Sequence, residues 1–583
     1  KDFKAKPTIA VGSYGLIPKK YSQKGKPKVG DLILTIGGAT GRDGIHGATF
    51  ASGEMTAKTG QTLGSAVQVG NAIEEKRILD AVIALRDNGL IRAITDCGGG
   101  GYSSAIGEMG QKIGVHVSLE QIPLKYAGLS PWEIFLSESQ ERLVLAIDPK
   151  NLKKIQKLCK LYNVPAHVIG KFDGSKRLKI TFKNQQVCDM PMEFIHEGLP
   201  QRIMVGKTKK IKLGVKISTV PQKLENVWLQ VMAHPNVASK EPIVRMYDHN
   251  VQGTTALHPF SGVNFDAPND AVILRPILNK PYGFITAHGL NPILIRIDPY
   301  WGSVWVIVEA VSNYVAVGGQ IKNAALIDNF IWPFPDEESL ADLDKSVDAC
   351  VDMAKLLKMP FVSGKDSLSS TYRYPEGPEQ SRRTNGKILK IPPVLLISIF
   401  GKIPDISKTA SADFKKVGST IVLVGKQDTK NLGGSAYFDI TNSHGDTPKV
   451  DLKNINKVLE AVTSGIKSGQ IQSAHDISEG GLATTLAEMC FGADFGAEVD
   501  LSKIDAKTRS DLVLFNETTG TFLVEVKNEK IAKKLFAGVH HAIIGKTVKD
   551  QLISIKHGSR NLCNSSLKKL KESWQRPMRE IFH

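Results

Sequence analysis

Two rhythms of apolar and polar positions alternate along this chain. VGDLILTIG (29–37) and VGSTIVLVG (417–425) are near-continuous aliphatic runs bounded by glycine, the pattern of buried strands. NAIEEKRILDAVIALRDNG (71–89), NLKKIQKLCKLY (151–162) and NINKVLEAVTSGIKSG (454–469) repeat apolar residues every three or four positions and predict helices. In the block 263–403, WGSVWVIVEAVSNYVAVGGQ (301–320) predicts a helix and AALIDNF (324–330) a strand ending in Asp328. SVDACVDMAKLLKMPFVSGKDSLSSTY (346–372) then reads as a helix, a strand and a polar glycine turn. Strands alternating with helices imply an α/β fold.

The pattern repeats. ITDCGGGGYSSAIGEMG (94–110) has the layout of AHDISEGGLATTLAEMC (474–490): Asp96 matches Asp476, Gly100-Gly101 match Gly480-Gly481, and Glu108-Met109 match Glu488-Met489. HGATF (46–50) resembles GSAYF (434–438), and SESQERLVLAI (137–147) resembles NETTGTFLVEV (516–526), with Glu138 opposite Glu517. A repeat at this period indicates a duplicated module. The second copy follows the block 263–403, whereas little precedes the first, so an N-terminal block is expected to be missing, by truncation or by a split gene.

Composition changes this picture little: 42% hydrophobic and 23% charged residues are ordinary for a globular protein. The longest apolar runs, such as PPVLLISIF (392–400), are too short to span a bilayer. Six dispersed cysteines without a CxxC pair suit a reducing cytosol and argue against a disulfide framework or zinc site. The net charge of +17 raises nucleic-acid binding, but the lysines are spread out and no aromatic-studded RNA motif or zinc finger accompanies them. The densest cluster, KTKKIKLGVK (207–216), alternates like an exposed strand. A solvated surface, or a site for anionic metabolites, is the reading kept; no nucleic-acid or membrane partner is expected.

The Asp–glycine loops follow a strand and open a helix. Glycine amides there can converge on a phosphate, and the aspartate can hold Mg²⁺. A glycine turn with a capping aspartate is the other reading. SGKDS (363–367) is no Walker A loop, because Met359 stands where a glycine is needed. TGRDG (40–44) reads as a turn stapled by an Arg–Asp pair, or as an anion loop. SESQ (137–140) is a polar turn or a ligand shelf. Glu309 and Asn313, at i and i+4, share a helical face and are either metal ligands or a polar stripe. His475 beside Asp476 reads as a catalytic residue or, more simply, as a structural histidine next to the loop.

GGATGRDGIHGATFAS (37–52), SAVQVGN (65–71), DCGGGGYSSAIGEM (96–109), SPWEIFLSESQERL (130–143), HPNVASK (234–240), YDHNVQG (247–253), SGKDS and AHDISEGGL (474–482) together resemble the phosphoribosylformylglycinamidine synthase family, of the aminoimidazole-ribonucleotide synthetase superfamily. The resemblance is collinear from about residue 12 to at least 560. It implies an α/β (α+β), internally duplicated pseudo-dimer of ferredoxin-like N-type and α/β C-type domains. The implied boundaries are a remnant of the first N-type domain with its linker (1–28), the first C-type domain (29–192), a connector (193–262), the second N-type domain (263–403), a linker with the second C-type domain (404–550) and a tail (551–583).

The implied activity is ATP-dependent amidation of formylglycinamide ribonucleotide in purine biosynthesis, through an iminophosphate. Carried over by residue, Gln68, Glu138, Ser139, Gln140 and Ser367 would contact substrate, and Asp328, Gly364 and Lys365 the nucleotide. Asp96 would hold Mg²⁺. A second, non-catalytic site would have Asp270, Glu309, Asn313 and Asp476 as metal ligands and Ser478 near the nucleotide. Lys365 departs from the shorter family members, which place Asn there, so a metal role at 365 does not carry over. No glutaminase domain is present, which implies ammonia from a separate glutaminase subunit, with a small accessory subunit as a further candidate partner. The family's catalytic histidine lies in the N-type domain expected to be missing, so this chain alone is expected to be inactive and cytoplasmic. Two alternatives stand beside this: a non-catalytic nucleotide-binding half, and another ATP-dependent synthetase of the superfamily.

Overall fold

In a computed structural model of the chain, the described residues are 9–47, 67–68, 70–208, 214–373 and 388–582, with the short strand 55–56. They fall into two compact units. One is built from the residues up to Met204 with those of 369–391, the other from 205–368 with 392–583.

The first unit is organised on a seven-stranded sheet. Its strands are β1 (Leu32–Gly37), β2 (Ala93–Asp96), β3 (Val115–Ser118), β4 (Arg142–Ile147), β5 (Ala166–Phe172), β6 (Arg177–Phe182) and β7 (Gln185–Pro191), in the order β2-β4-β1-β5-β3-β6-β7. Pairing is antiparallel except between β3 and β6. The aliphatic run of β1 serves both faces, as the period of two requires. Ile33 packs with Tyr102, Ile106 and Phe172, and Leu34 and Ile36 pack with Ile78, Leu85 and Ile155. Helix α1 (Ala72–Asp87) covers the latter face, capped by Asn71. Helix α2 (Tyr102–Gly110) covers the former.

The second unit carries two large sheets, besides a two-stranded pairing of Phe260–Ser261 with Ala267–Pro268. The first has strands β8 (Thr255–Leu257), β9 (Val272–Leu274), β10 (Gly283–Leu290), β11 (Ala324–Ile331), β12 (Phe361–Ser367) and β13 (Val394–Ile403), in the order β12-β11-β13-β10-β9-β8. Helices α3 (Pro299–Ala316) and α4 (Glu337–Leu357) pack against it. SGKDS forms the end of β12 rather than a turn: parallel pairing with β11 sets Gly364 against Asp328 and Lys365 against Asn329, which holds this polar stretch extended.

The other sheet comprises β14 (Thr420–Val424), β15 (Ile471–Asp476), β16 (Gly496–Asp500), β17 (Phe522–Val526), β18 (His541–Val548), β19 (Leu552–His557) and β20 (Arg560–Ser566). Its order, β15-β17-β14-β18-β16-β19-β20, reproduces the first unit's sheet strand for strand. Residues after 550 are therefore no tail. Parallel pairing of β16 with β19 draws the final hairpin into the sheet, and the helix Leu567–Ile581 buries Leu570 and Trp574 behind it. Val422 and Val424 of β14 face α3 and α5 (Ile455–Lys467), whereas Ile421 and Leu423 face α6 (Gly481–Ala493). Thus α3 lies between two sheets, which explains why it is apolar almost all round.

Part of the cluster 207–216 lies outside the described residues, as do 48–50 of the repeat match at 46–50.

Candidate functional site

Both Asp–glycine loops are built alike. The loop passes so close to the chain entering the neighbouring strand that a Cβ at Gly101 would lie 2.0 Å from the Ser137 carbonyl oxygen. At Gly481 it would lie 2.5 Å from that of Asn516. Both glycines have positive φ, 57° and 67°, so any side chain is excluded twice over. The amide of Gly100 donates to Glu138 Oε1 (3.1 Å), and that of Gly480 to Glu517 Oε1 (2.8 Å). In each copy, then, one loop amide is held by a glutamate from the SESQ or NETT turn.

In the first unit that turn also gathers the expected substrate residues. Gln68 Nε2 donates to Glu138 Oε2 (3.1 Å), and Gln140 Nε2 donates to Gln68 Oε1. Ser139 Oγ donates to Asp43 Oδ1 (2.8 Å) and accepts from the Gly41 amide (3.0 Å). Buried Arg142, which the residue-by-residue reading passed over, braces the turn. Its guanidinium donates to the carbonyls of Ser139 (2.8 Å) and Ser137 and to Thr40 Oγ1 (2.9 Å), and lies over the Tyr102 ring. Asp96 stands exposed at the end of β2 and, with Ser139, Gln140 and Arg142, borders a cavity of about 370 Å³. The Arg–Asp staple expected in TGRDG does not form. Arg42 pairs with Glu133 (2.7 Å) and Asp43 with Lys125 (2.9 Å), partners that only the fold delivers. Arg42, with the Ser130 amide, holds the Glu133 carboxyl down at about 2.

In the second unit the structure assembles a buried acidic centre. His475 Nδ1 lies 2.6 Å from Asp270 Oδ1 and 3.6 Å from Asp476 Oδ1, and its Nε2 lies 3.0 Å from Glu488 Oε2. The Asp476 amide donates to Asp270 Oδ2 (3.2 Å), and Ser478 Oγ donates to Asp476 Oδ1 (3.5 Å). Glu309 accepts from the Leu290 amide (2.8 Å) at the end of β10 and hydrogen-bonds Glu479. Asn313, one turn on, donates to the His288 carbonyl (2.9 Å). Burial raises all three carboxyls, reinforced at Asp476 by Asp270, at Glu479 by Asp476, and at Glu309 by Glu479 and Asp476: Asp476 to about 6, Glu479 to about 7, and Glu309 well above its ordinary value. Burial pulls the His475 imidazole down, but Asp270, Asp476 and Glu488 outweigh it and hold it well above its ordinary value.

So much negative charge out of water fits a bound cation. Asp476 Oδ2 is buried with no hydrogen-bond partner, and the ligand atoms of Asp270, His475 and Asp476 lie within 4.8 Å of one another. The oxygen-rich set suits a hard ion. Asp270, Glu309 and Asp476 belong to the expected ligand set. His475, Glu479 and Glu488 complete the buried centre around them, and the signal for these was their place in the loop motif itself.

Near β11 and β12, Asp328 is half-buried, its carboxyl raised by burial and by Asp366. A Cβ at residue 364 would strike Asp328 Oδ1, at 2.0 Å. Lys365 Nζ donates to Ser367 Oγ (2.6 Å).

A twice-built C-type module with an acid-tipped strand and a glycine loop defines the class to which the chain is related. Residues 28–183 and 416–558 each match the family described as AIR synthase related protein, C-terminal domain. The chain is 32% identical over 583 residues to phosphoribosylformylglycinamidine synthase subunit PurL of Thermoplasma volcanium, covering 99% of this chain and 74% of that protein. It is 33% identical over 575 residues to the PurL subunit of Methanocaldococcus jannaschii, covering 97% and 75%. The chain belongs to the phosphoribosylformylglycinamidine synthase family. A solved structure described as "T. maritima PurL complexed with FGAR" shares the fold, with a TM-score of 0.64 at 22% identity over 90% of this chain and 73% of that one.

Proposed function

We propose that this chain serves the ATP-dependent amidation of formylglycinamide ribonucleotide (FGAR) in purine biosynthesis, taking ammonia from a glutaminase subunit. The observation that carries the reading is the hydrogen-bonded set Gln68, Glu138 and Gln140, braced against the glycine loop in a chain of this family. The substrate amide oxygen attacks the γ-phosphorus of ATP, ADP leaves, and an iminophosphate forms. Ammonia adds to its carbon, and the C–O bond breaks to release phosphate and the amidine. Gln68, Glu138, Ser139 and Gln140 hold and orient the substrate. Asp328, Gly364 and Lys365 flank the nucleotide. Asp96 would hold Mg²⁺, which would supply charge neutralisation to the phosphates. The test is ADP release by the gene product carrying this sequence, supplied with FGAR, ATP and ammonia. Turnover that depends on FGAR and falls at least tenfold in Gln68→Ala supports the reading, and ATPase activity indifferent to FGAR sinks it.

A second reading concerns the acidic centre, and the orphaned Asp476 Oδ2 favours it. Asp270, Glu309, Asn313 and Asp476 would hold Mg²⁺ there, with Ser478 against a nucleotide that is bound and not turned over. Nucleotide should then copurify with the protein and be lost in Asp476→Ala, while a preparation free of nucleotide counts against it.

A further inference from the structure

The loop after β14 is the second copy of the TGRDG stretch, because 417–425 aligns with 29–37 and 434–438 with 46–50 at one constant spacing. On that register Lys430 stands where the first copy has Arg42. In the first copy the loop's charges are neutralised within the protein: Arg42 on Glu133, Asp43 on Lys125. The second copy differs. Its loop borders a cavity of about 490 Å³, lined among others by Lys426, Gln427, Lys430, Lys449 and His540. This lies within the range of small-molecule sites, about 300–1,000 Å³.

None of the three lysines forms an ion pair among the described residues. The carboxylates beside them are already engaged. Asp428 accepts from the amides of Lys430 (3.4 Å) and Lys449 (2.9 Å) and from Asn431 Nδ2 (2.8 Å). Asp451 accepts from Asn454 Nδ2 (2.9 Å), and Asp505 from the amides of Lys507 (2.9 Å) and Thr508 (3.1 Å). The Lys449 ammonium lies 5.5 Å over the Trp301 ring. His540 Nδ1 bonds the Gly425 carbonyl (3.1 Å), which can only accept, so the proton sits on Nδ1 and Nε2 is left for a ligand. Gln427 is decisive. It is only 8% exposed, yet neither its amide nitrogen nor its amide oxygen has a partner. A buried carboxamide left unsatisfied is costly, and its adjacent donor and acceptor complement the paired edge of a nucleobase.

We propose that this cavity binds a nucleoside monophosphate, its base edge on Gln427 and its phosphate among Lys426, Lys430 and Lys449. The proposal is independent of the amidation reading and of the acidic centre. It is tested by titration calorimetry in EDTA, with AMP, GMP, UMP and inorganic phosphate as probes, on the gene product and on Lys430→Glu, Gln427→Leu and Asp476→Asn. Lys430 is exposed, so reversing its charge leaves folding intact. The expected result is binding of at least one monophosphate, tighter than inorganic phosphate, weakened tenfold or more in Lys430→Glu and unchanged in Asp476→Asn. Gln427→Leu should bind the three nucleotides with equal affinity. The proposal is overturned by no monophosphate binding at millimolar concentration, by inorganic phosphate binding as tightly, by an affinity indifferent to Lys430→Glu, or by one that Asp476→Asn abolishes.

Discussion

At the scale of single residues, Glu517 shows how a structural carboxyl becomes a pH sensor. Burial, reinforced by Glu479, raises it to about 8 although the amides of Gly480 and Ala436 donate to it. Between its unfolded value of 4.5 and about 8, the folded state keeps a proton that the unfolded chain has released. Stability therefore falls as pH rises through that window and levels off above it. Replacing Glu517 by Gln should flatten this fall, measured as the unfolding midpoint from pH 5 to 8.5; a slope equal to the parent's would refute the assignment. The residue scale is also where the sequence was least legible. Arg42 and Asp43 are adjacent and opposite in charge, so a local staple was the natural reading, yet Glu133 and Lys125 lie 91 and 82 positions away and capture them. Asp270 meets Asp476 across 206 positions, a distance that no local pattern encodes.

At the scale of elements, periodicity was informative wherever one environment ruled a whole segment. The three-to-four spacing of 71–89 yields Ala72–Asp87, and that of 454–469 yields Ile455–Lys467. It failed at SGKDS, whose polar residues are extended by the register of β12 on β11 and not by their own preference. Helix α3 is the opposite extreme, with Ile307 fully buried between two sheets, whereas Ile83 on α1 is 39% exposed. Ile307→Ala should cost about 2–5 kcal/mol. Ile83→Ala should cost less, about 1 kcal/mol, since a good part of its side chain stays in water and leaves no closed cavity when truncated. Denaturant titrations of both variants check the contrast; equal effects would mean that α3 is not packed on both sides.

At the scale of the whole molecule, the lysines and arginines behind the charge of +17 are spread along the sequence. Contact with DNA or RNA at low ionic strength should be weak, without sequence preference, and abolished near physiological salt, as counterion competition dictates. A filter-binding series in salt measures this, and a salt-resistant, sequence-selective complex would contradict it. The duplicated sheet order has a further consequence. Two identical subunits encoded by one gene must change together, because every substitution appears in both. Joining the copies in one polypeptide lifts that constraint. Arg42 could stay locked to Glu133 while Lys430 lost its counter-charge, and Asp96 could face solvent while Asp476 was walled in by acids. Covalent linkage is thus what lets one inherited scaffold carry two differently furnished loops in a single chain.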